Sequence, residues 1–142
     1  VAKTSIVTLV LVAGCLLGGC AAGGARSVDH ERLQGIWLAE SESQSGRTKP
    51  VSFRYVFSGD TLVFTDENAQ EMTYAFKLES KGPLRLITIW PSESREEATP
   101  VSVAYELAGD SLTLVIAPPG LRPAEISDRN DQELILCRRK RP

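Results

Sequence analysis

The segment Tyr55 to Phe64, YVFSGDTLVF, returns fifty residues later as Tyr105 to Leu114, YELAGDSLTL. Each copy belongs to a run in which apolar residues fall at every second position, the period of a strand with one buried face. In the first run Phe53, Tyr55 and Phe57 share a face, the chain turns at Ser58-Gly59-Asp60, and Leu62 and Phe64 return. In the second Val101, Val103, Tyr105 and Leu107 share a face, Ala108-Gly109-Asp110 turns, and Leu112, Leu114 and Ile116 return. Glycine supplies the positive φ that a two-residue reversal needs, and the aspartate is expected to bond the backbone beyond it. A line written this way dictates antiparallel hairpins. Two copies are too few for a solenoid, whose core needs at least three stacked units.

The same period runs through most of the chain and marks eight strands: Gly35–Glu40, Ser52–Phe57, Thr61–Thr65, Glu71–Glu79, Leu84–Trp90, Val101–Leu107, Ser111–Ala117 and Glu133–Arg138. In the fourth, Met72, Tyr74, Phe76 and Leu78 read as inward and Glu71, Thr73 and Lys77 as outward. Eight short antiparallel strands with one apolar face either stack as two sheets or close on themselves, and closure alone leaves no edge. The expectation is therefore an all-β fold, a small eight-stranded antiparallel up-and-down barrel. A short helical turn precedes it over Asp29–Gly35, with Asp29 as its cap and Gly35 as its stop. Every Phe and Tyr falls on an inward face, so Phe53, Tyr55, Phe57, Phe64, Tyr74, Phe76 and Tyr105 are the candidate ligand-lining residues, with Trp90 at the mouth. The interior is either filled by these rings or partly open. Three hydrophilic loops, Ser41–Val51, Pro91–Pro100 and Pro118–Gln132, are the places where a barrel of this kind carries recognition.

With 142 residues, 42% hydrophobic and 24% charged, the chain has the balance of one globular domain. A formal charge of −2 with no basic stripe in the body argues against nucleic acid as a partner. The one basic run, Arg138-Arg139-Lys140-Arg141, reads as a solvated tail, or as a contact for an envelope polyanion.

The N-terminus reads as a secretory signal: Lys3, then an apolar run from Ile6 to Val12 broken only by Thr8, then small residues. The run is short of the ~20 residues that span a bilayer. Two cysteines follow small triplets of the lipobox kind, Val12-Ala13-Gly14-Cys15 and Leu17-Gly18-Gly19-Cys20. Cys20 is the favoured lipidation site, because Leu16 and Leu17 extend the apolar run to it and AAGGARS makes a tether after it; Cys15 stays the alternative. The expected organisation is a signal peptide over 1–19, a lipidated cysteine and tether over 20–28, and the barrel over 29–142. Cleavage at Cys20 leaves Cys137 as the one thiol, read as a buried small hydrophobe. Cleavage at Cys15 leaves Cys20 and Cys137 able to pair.

Chemistry-bearing clusters are sparse. His30 is the one histidine and stands in the leader turn, so a nucleophile–histidine–acid set would need His30 with Glu125 and Asp128 at one pocket. One His and one free Cys do not make a zinc site. Glu93, Glu96 and Glu97 form the densest carboxylate group and read as a solvated loop. No phosphate loop or dinucleotide fingerprint is present. No catalytic residue, metal or cofactor is expected.

LQGIW at Leu33–Trp37, the two Gly-Asp hairpins, APPGLRPAEI at Ala117–Ile126 and the closing LILCRR together resemble the small lipocalin-like exported domains abundant in planctomycete bacteria, a family without an assigned activity. The resemblance covers residues 29 to 139. It implies that Gly35 and Trp37 open the barrel and that a last-strand arginine, Arg138 by the phase of Leu134 and Leu136, lies over the indole to close it. It also points to Arg122, Pro123 and Glu125 as a recognition loop. The functional expectation is a non-enzymatic lipoprotein of the cell envelope, exported and anchored through diacylglycerol and an N-acyl group such as palmitate. Its barrel binds a small apolar ligand or an envelope component. The alternative is a solid-core structural or inhibitory module that acts through its loops.

Overall fold

The period-two segments are strands. The computed structural model describes residues 27–94 and 99–142. In it one short helix, α1 (Val28–Leu33), precedes β1 (Gly35–Gln44), β2 (Arg47–Pro50), β3 (Arg54–Ser58), β4 (Thr61–Thr65), β5 (Glu71–Lys81), β6 (Leu84–Pro91), β7 (Val101–Ala108), β8 (Ser111–Ile116) and β9 (Glu133–Arg139). From β3 to β9 each strand pairs antiparallel with the next, and β9 returns to pair with β1. Strands β2 and β3 share one edge of β1: Arg47 to Pro50 lie against its far half and Arg54 to Phe57 against its near half. They occupy one position in the wall, so the barrel is closed, eight-stranded and up-and-down, as the alternation required.

The one loop expected over Ser41–Val51 is mostly sheet. β1 runs on to Gln44 and turns back through Ser45 and Gly46, both at positive φ (51° and 82°), which makes a tight hairpin. Its tip is held to the 117–132 connection, where Ser45 N donates to Asp128 O (2.9 Å) and Gly46 N to Asp128 Oδ2 (2.8 Å).

The two Gly-Asp lines are hairpin turns, Gly59-Asp60 between β3 and β4 and Gly109-Asp110 between β7 and β8. In both the glycine sits at φ +62°, a conformation that a Cβ resists. The aspartates do more than shape the turn. The Asp60 carbonyl accepts from Phe76 N (3.0 Å) and the Asp110 carbonyl from Arg139 N (2.8 Å), so each turn also pins the neighbouring strand. The Asp60 carboxylate accepts from His30 Nε2 (2.9 Å), and that of Asp110 meets Arg139 and Arg141. Each copy ties one flank of the chain to the same end of the barrel.

At that end α1 forms a plug. Its cap is Ser27, whose hydroxyl accepts from His30 N (3.1 Å), and the helix begins before Asp29. Asp29 instead reaches inward to accept from Tyr105 Oη (2.7 Å) and Arg85 Nη1 (3.0 Å). Leu33 is fully buried and His30 stacks on Phe76 at 5.5 Å between ring centroids.

A second, smaller apolar cluster lies outside the barrel wall. Leu86, Ala104 and Val115 are buried there beneath Ile126 of the 117–132 connection, with Leu84 and Leu134 at its margin. Gln132, 2% exposed, holds this strap shut: Nε2 donates to the carbonyls of Glu125 (3.2 Å) and Ser127 (3.1 Å), and Oε1 accepts from Ala124 N (2.8 Å).

Candidate functional site

The closed end is built from residues whose roles the geometry makes explicit. Trp37 is fully buried, and its Nε1 donates to Leu33 O (2.8 Å), so the indole fastens β1 to α1. The cation over it is Arg139, with its guanidinium carbon 4.2 Å from the ring centroid. Arg138 was expected there, and the phase of β9 is the reason it is not. Ile135 and Cys137 point inward, Leu136 is exposed, and Arg139 is the cross-strand partner of Trp37. Arg138 faces out and pairs with Glu40 (3.0 Å). Arg139 also donates to the carbonyls of Gln34 (2.8 Å) and Arg32, closing the otherwise open C-terminal end of α1. Gly35 stands under this guanidinium at φ +117°, where an added Cβ would come within 3.3 Å of Arg139 Nη1. The basic run is therefore not a free tail: Arg138, Arg139 and Arg141 are all paired with carboxylates.

The other end is open. The aromatic residues that fill the plugged half, Phe57 and Phe76, meet edge to face at 5.2 Å, and Tyr105 is buried beside them. Above them a cavity of about 180 Å³ opens between the walls, lined by Tyr55, Phe64, Met72, Tyr74, Ile89 and Ile116 at its upper level and floored by Phe57 and Leu62. Its lining is almost wholly apolar. Met72, inward as expected, is 50% exposed because it stands on the lip. Of the expected lining residues, Tyr55, Phe57, Phe64 and Tyr74 line this cavity, Phe53 packs edge-on against Phe64 at 5.5 Å, and Phe76 and Tyr105 lie below it in the core.

Trp90 is on the wrong side of the wall for that role. Ile87 and Ile89 take the inward positions of β6, so Thr88 and Trp90 face out into a broad groove of about 700 Å³, bounded by Val101, Ser102 and residues 117–122. Its alternation was indecisive because both faces of β6 are covered.

The expected recognition loop does not converge. Arg122 is exposed on the edge of the outer groove, Pro123 is buried, and Glu125 is turned to Asn130 Nδ2 (3.3 Å). Nor do His30, Glu125 and Asp128 meet: His30 is in the plug with Asp60, whereas Asp128 holds the β1–β2 tip at the opposite end. Among the described residues no group of three or more His, Cys, Asp or Glu is arranged to hold a metal ion, and no helix is long and apolar enough to cross a membrane. Cys15, Cys20, Glu96 and Glu97 lie outside the described residues, and Glu93 is exposed in a single 3-10 turn. Cys137 is free and buried; desolvation, with a smaller contribution from the Glu40 charge, pushes its thiol up to about 12.

Three residues at the open end, Glu42, Lys49 and Glu133, were not singled out from the sequence. Glu133 faces inward beside Ile116; burial first, then the Glu42 charge, raises its pKa. Lys49 Nζ lies 3.8 Å from Glu42 Oε2. The Tyr55 hydroxyl, at the side of the cavity, makes no hydrogen bond to another described residue, and burial followed by the charges of the surrounding groups carries its pKa well above the usual phenol range. A bulge in the β1–β9 ladder between Ala39 and Ser41 hides Glu42 from sequence reading. Counting by two from Trp37 turns it outward, and the extra residue turns it in.

Compared with protein-family models, curated proteins and solved structures, the chain finds no match.

Proposed function

We propose that this barrel is a non-enzymatic binding protein for a small apolar molecule, held in the open half of its interior. The observation that carries the reading is the asymmetry of the core. One end is plugged by α1, Trp37 and Arg139, while the other keeps an apolar cavity of about 180 Å³ that opens through a lip carrying Met72. An apolar cavity of about 150 Å³ in a protein core stays dry and takes up benzene, so this volume suits one ring or a short alkyl chain. It is too small for the several-ring ligands of pockets above about 300 Å³.

A thermal-shift series with toluene, cyclohexane and naphthalene tests this reading. The first two raise the melting temperature, naphthalene does so less, and Leu114→Trp, which fills the cavity from its wall, abolishes the response. A flat response to all three ends the ligand reading. It would favour the second one, an interaction module working through the outer groove beside Trp90 and Arg122.

The cell-envelope setting rests on the N-terminal sequence. The apolar run from Ile6, the small residues before Cys20 and the tether after it support a lipid anchor, and an attached diacylglycerol with an N-acyl chain provides enough apolar length for stable attachment. In an envelope-bearing bacterial host, Cys20→Ala should release the protein from the membrane fraction and Cys15→Ala should not. The opposite pattern moves the anchor to Cys15, and release by neither removes it.

A further inference from the structure

We infer that the outer groove is a second ligand site, separate from the interior cavity, and that it takes a small organic acid. The carboxylate is set between Thr88 and Arg122, and an apolar body lies along the groove wall. The inference stands on its own observations and does not need the cavity reading.

The first observation is an orphaned hydroxyl. Thr88 sits in β6 between its cross-strand partners Lys77 of β5 and Ser102 of β7, and its outward side chain forms part of the groove floor. It is 5% exposed, and its Oγ1 is buried with no hydrogen-bond partner among the described residues. A buried hydroxyl left this way costs free energy that valine, similar in shape and also favoured in strands, would spare. The next row on the same face shows the contrast: Leu86, Ala104 and Val115, sealed under Ile126, are all apolar. The hydroxyl row of Thr88 and Ser102 begins where the strap gives way to the groove.

The second observation is charge. Lys77 and Glu79 line the groove and offset each other, with Nζ 3.0 Å from Oε1. Arg122, on the side formed by the 117–122 segment, is exposed and makes no ion pair or side-chain hydrogen bond among the described residues. Among those residues the groove therefore carries one uncompensated positive charge over a hydroxyl floor. A carboxylate answers both: the guanidinium donates to it through charge-assisted bonds, and the Thr88 hydroxyl donates from below. Val101 and Leu121, 48% and 63% exposed, supply the apolar wall for the rest of the molecule. The groove volume of about 700 Å³ lies within the ~300–1,000 Å³ of small-molecule sites. A hydroxyl sunk in the floor is reached by the head of a small molecule and not by a flat protein face.

Naphthaleneacetate, naphthaleneacetamide and naphthylethylamine share a two-ring body, which suits the groove better than the interior, and differ in the head. Their binding to the full chain at neutral pH can be followed by NMR. The Trp90 indole N–H and the Val101 and Leu121 methyl groups report on the groove, and the Ile89, Leu114 and Ile116 methyl groups on the interior. The acid should give saturable shifts at the groove and bind about tenfold tighter there than the amide, with the amine the weakest. Arg122→Gln, an exposed change, should remove the gap between acid and amide. Thr88→Val should weaken the acid by about threefold or more without lowering the melting temperature, whereas a residue that served only the fold would lower it. Equal affinity for acid and amide, a gap that survives Arg122→Gln, or a Thr88→Val chain that binds the acid as the parent does overturns the inference. Shifts confined to the interior methyl groups overturn it and leave the cavity reading standing. An acidic decapeptide that moves the groove signals where the small acid does not would replace the acid with a protein partner and overturn it as well.

Discussion

Arg139 lies over Trp37, its guanidinium carbon 4.2 Å from the indole centroid, and this single pair joins the first strand, the last strand and the helical plug. The stacked charge contributes on the order of 1 kcal/mol, and the bonds to the helix-end carbonyls add to it. Arg139→Ala should therefore cost about 2–3 kcal/mol in urea unfolding, whereas Arg138→Ala, which removes an exposed ion pair, should stay within about 0.5 kcal/mol. Equal losses would place the closure elsewhere.

Gly35 is fixed by the same pair. Its φ of +117° and the 3.3 Å approach of Arg139 Nη1 leave no comfortable place for a methyl group. Gly35→Ala should destabilise by about 1–3 kcal/mol, and less in an Arg139→Ala background, where the crowding is gone and only the backbone strain remains. Additive losses would show that the two do not interact.

Much of this end was readable beforehand, and the reasons differ by residue. The Gly-Asp turns announce themselves because glycine at positive φ is nearly obligatory there, and the strands between them follow from uninterrupted alternation. The phase of β9 was not readable: LILCRR is apolar at consecutive positions because Leu134 is covered from outside by the Ile126 strap and Ile135 from inside by the core. Alternation carries no information when both faces are buried. Trp90 was misplaced for the same reason. Glu42 was lost to a bulge, which costs one residue of register and leaves no mark in the sequence.

Two carboxyl groups should move stability with pH in opposite directions. Asp110 is held below the usual carboxylate range by its hydrogen bond to Arg141, then by the charges of Arg141 and Arg139. Its contribution is present above the ordinary carboxylate pKa and is lost as pH falls through the depressed value. Asp110→Asn should thus be less stable than the parent at pH 7 and converge with it below about pH 3. Glu133 is raised, so the folded state holds its proton more tightly and loses stability as pH climbs from the ordinary value through the raised one. Glu133→Gln should be the more stable protein at pH 7 and indistinguishable from the parent at pH 3. Melting curves at the two pH values decide both signs.

The thiol of Cys137 reports on the integrity of the barrel. Buried between the walls and pushed up to about 12, it supplies almost no thiolate at neutral pH. Alkylation by iodoacetamide should be at least about a hundredfold slower in the native chain than in urea, and its rate should rise in Arg139→Ala in step with the lost stability. Rapid native labelling would mean that the wall between β8 and β9 opens far more readily than its pairing implies.

The proposed binding cavity lies in the open half of the barrel. The most direct measurement is a toluene titration of methyl-labelled protein followed by NMR. Saturable shifts should concentrate on Ile87, Ile89, Val103, Leu114 and Ile116, with the outward Val56 and Val63 unmoved. No saturable shift, or shifts centred on the outer groove at Val101 and Leu121, would contradict it.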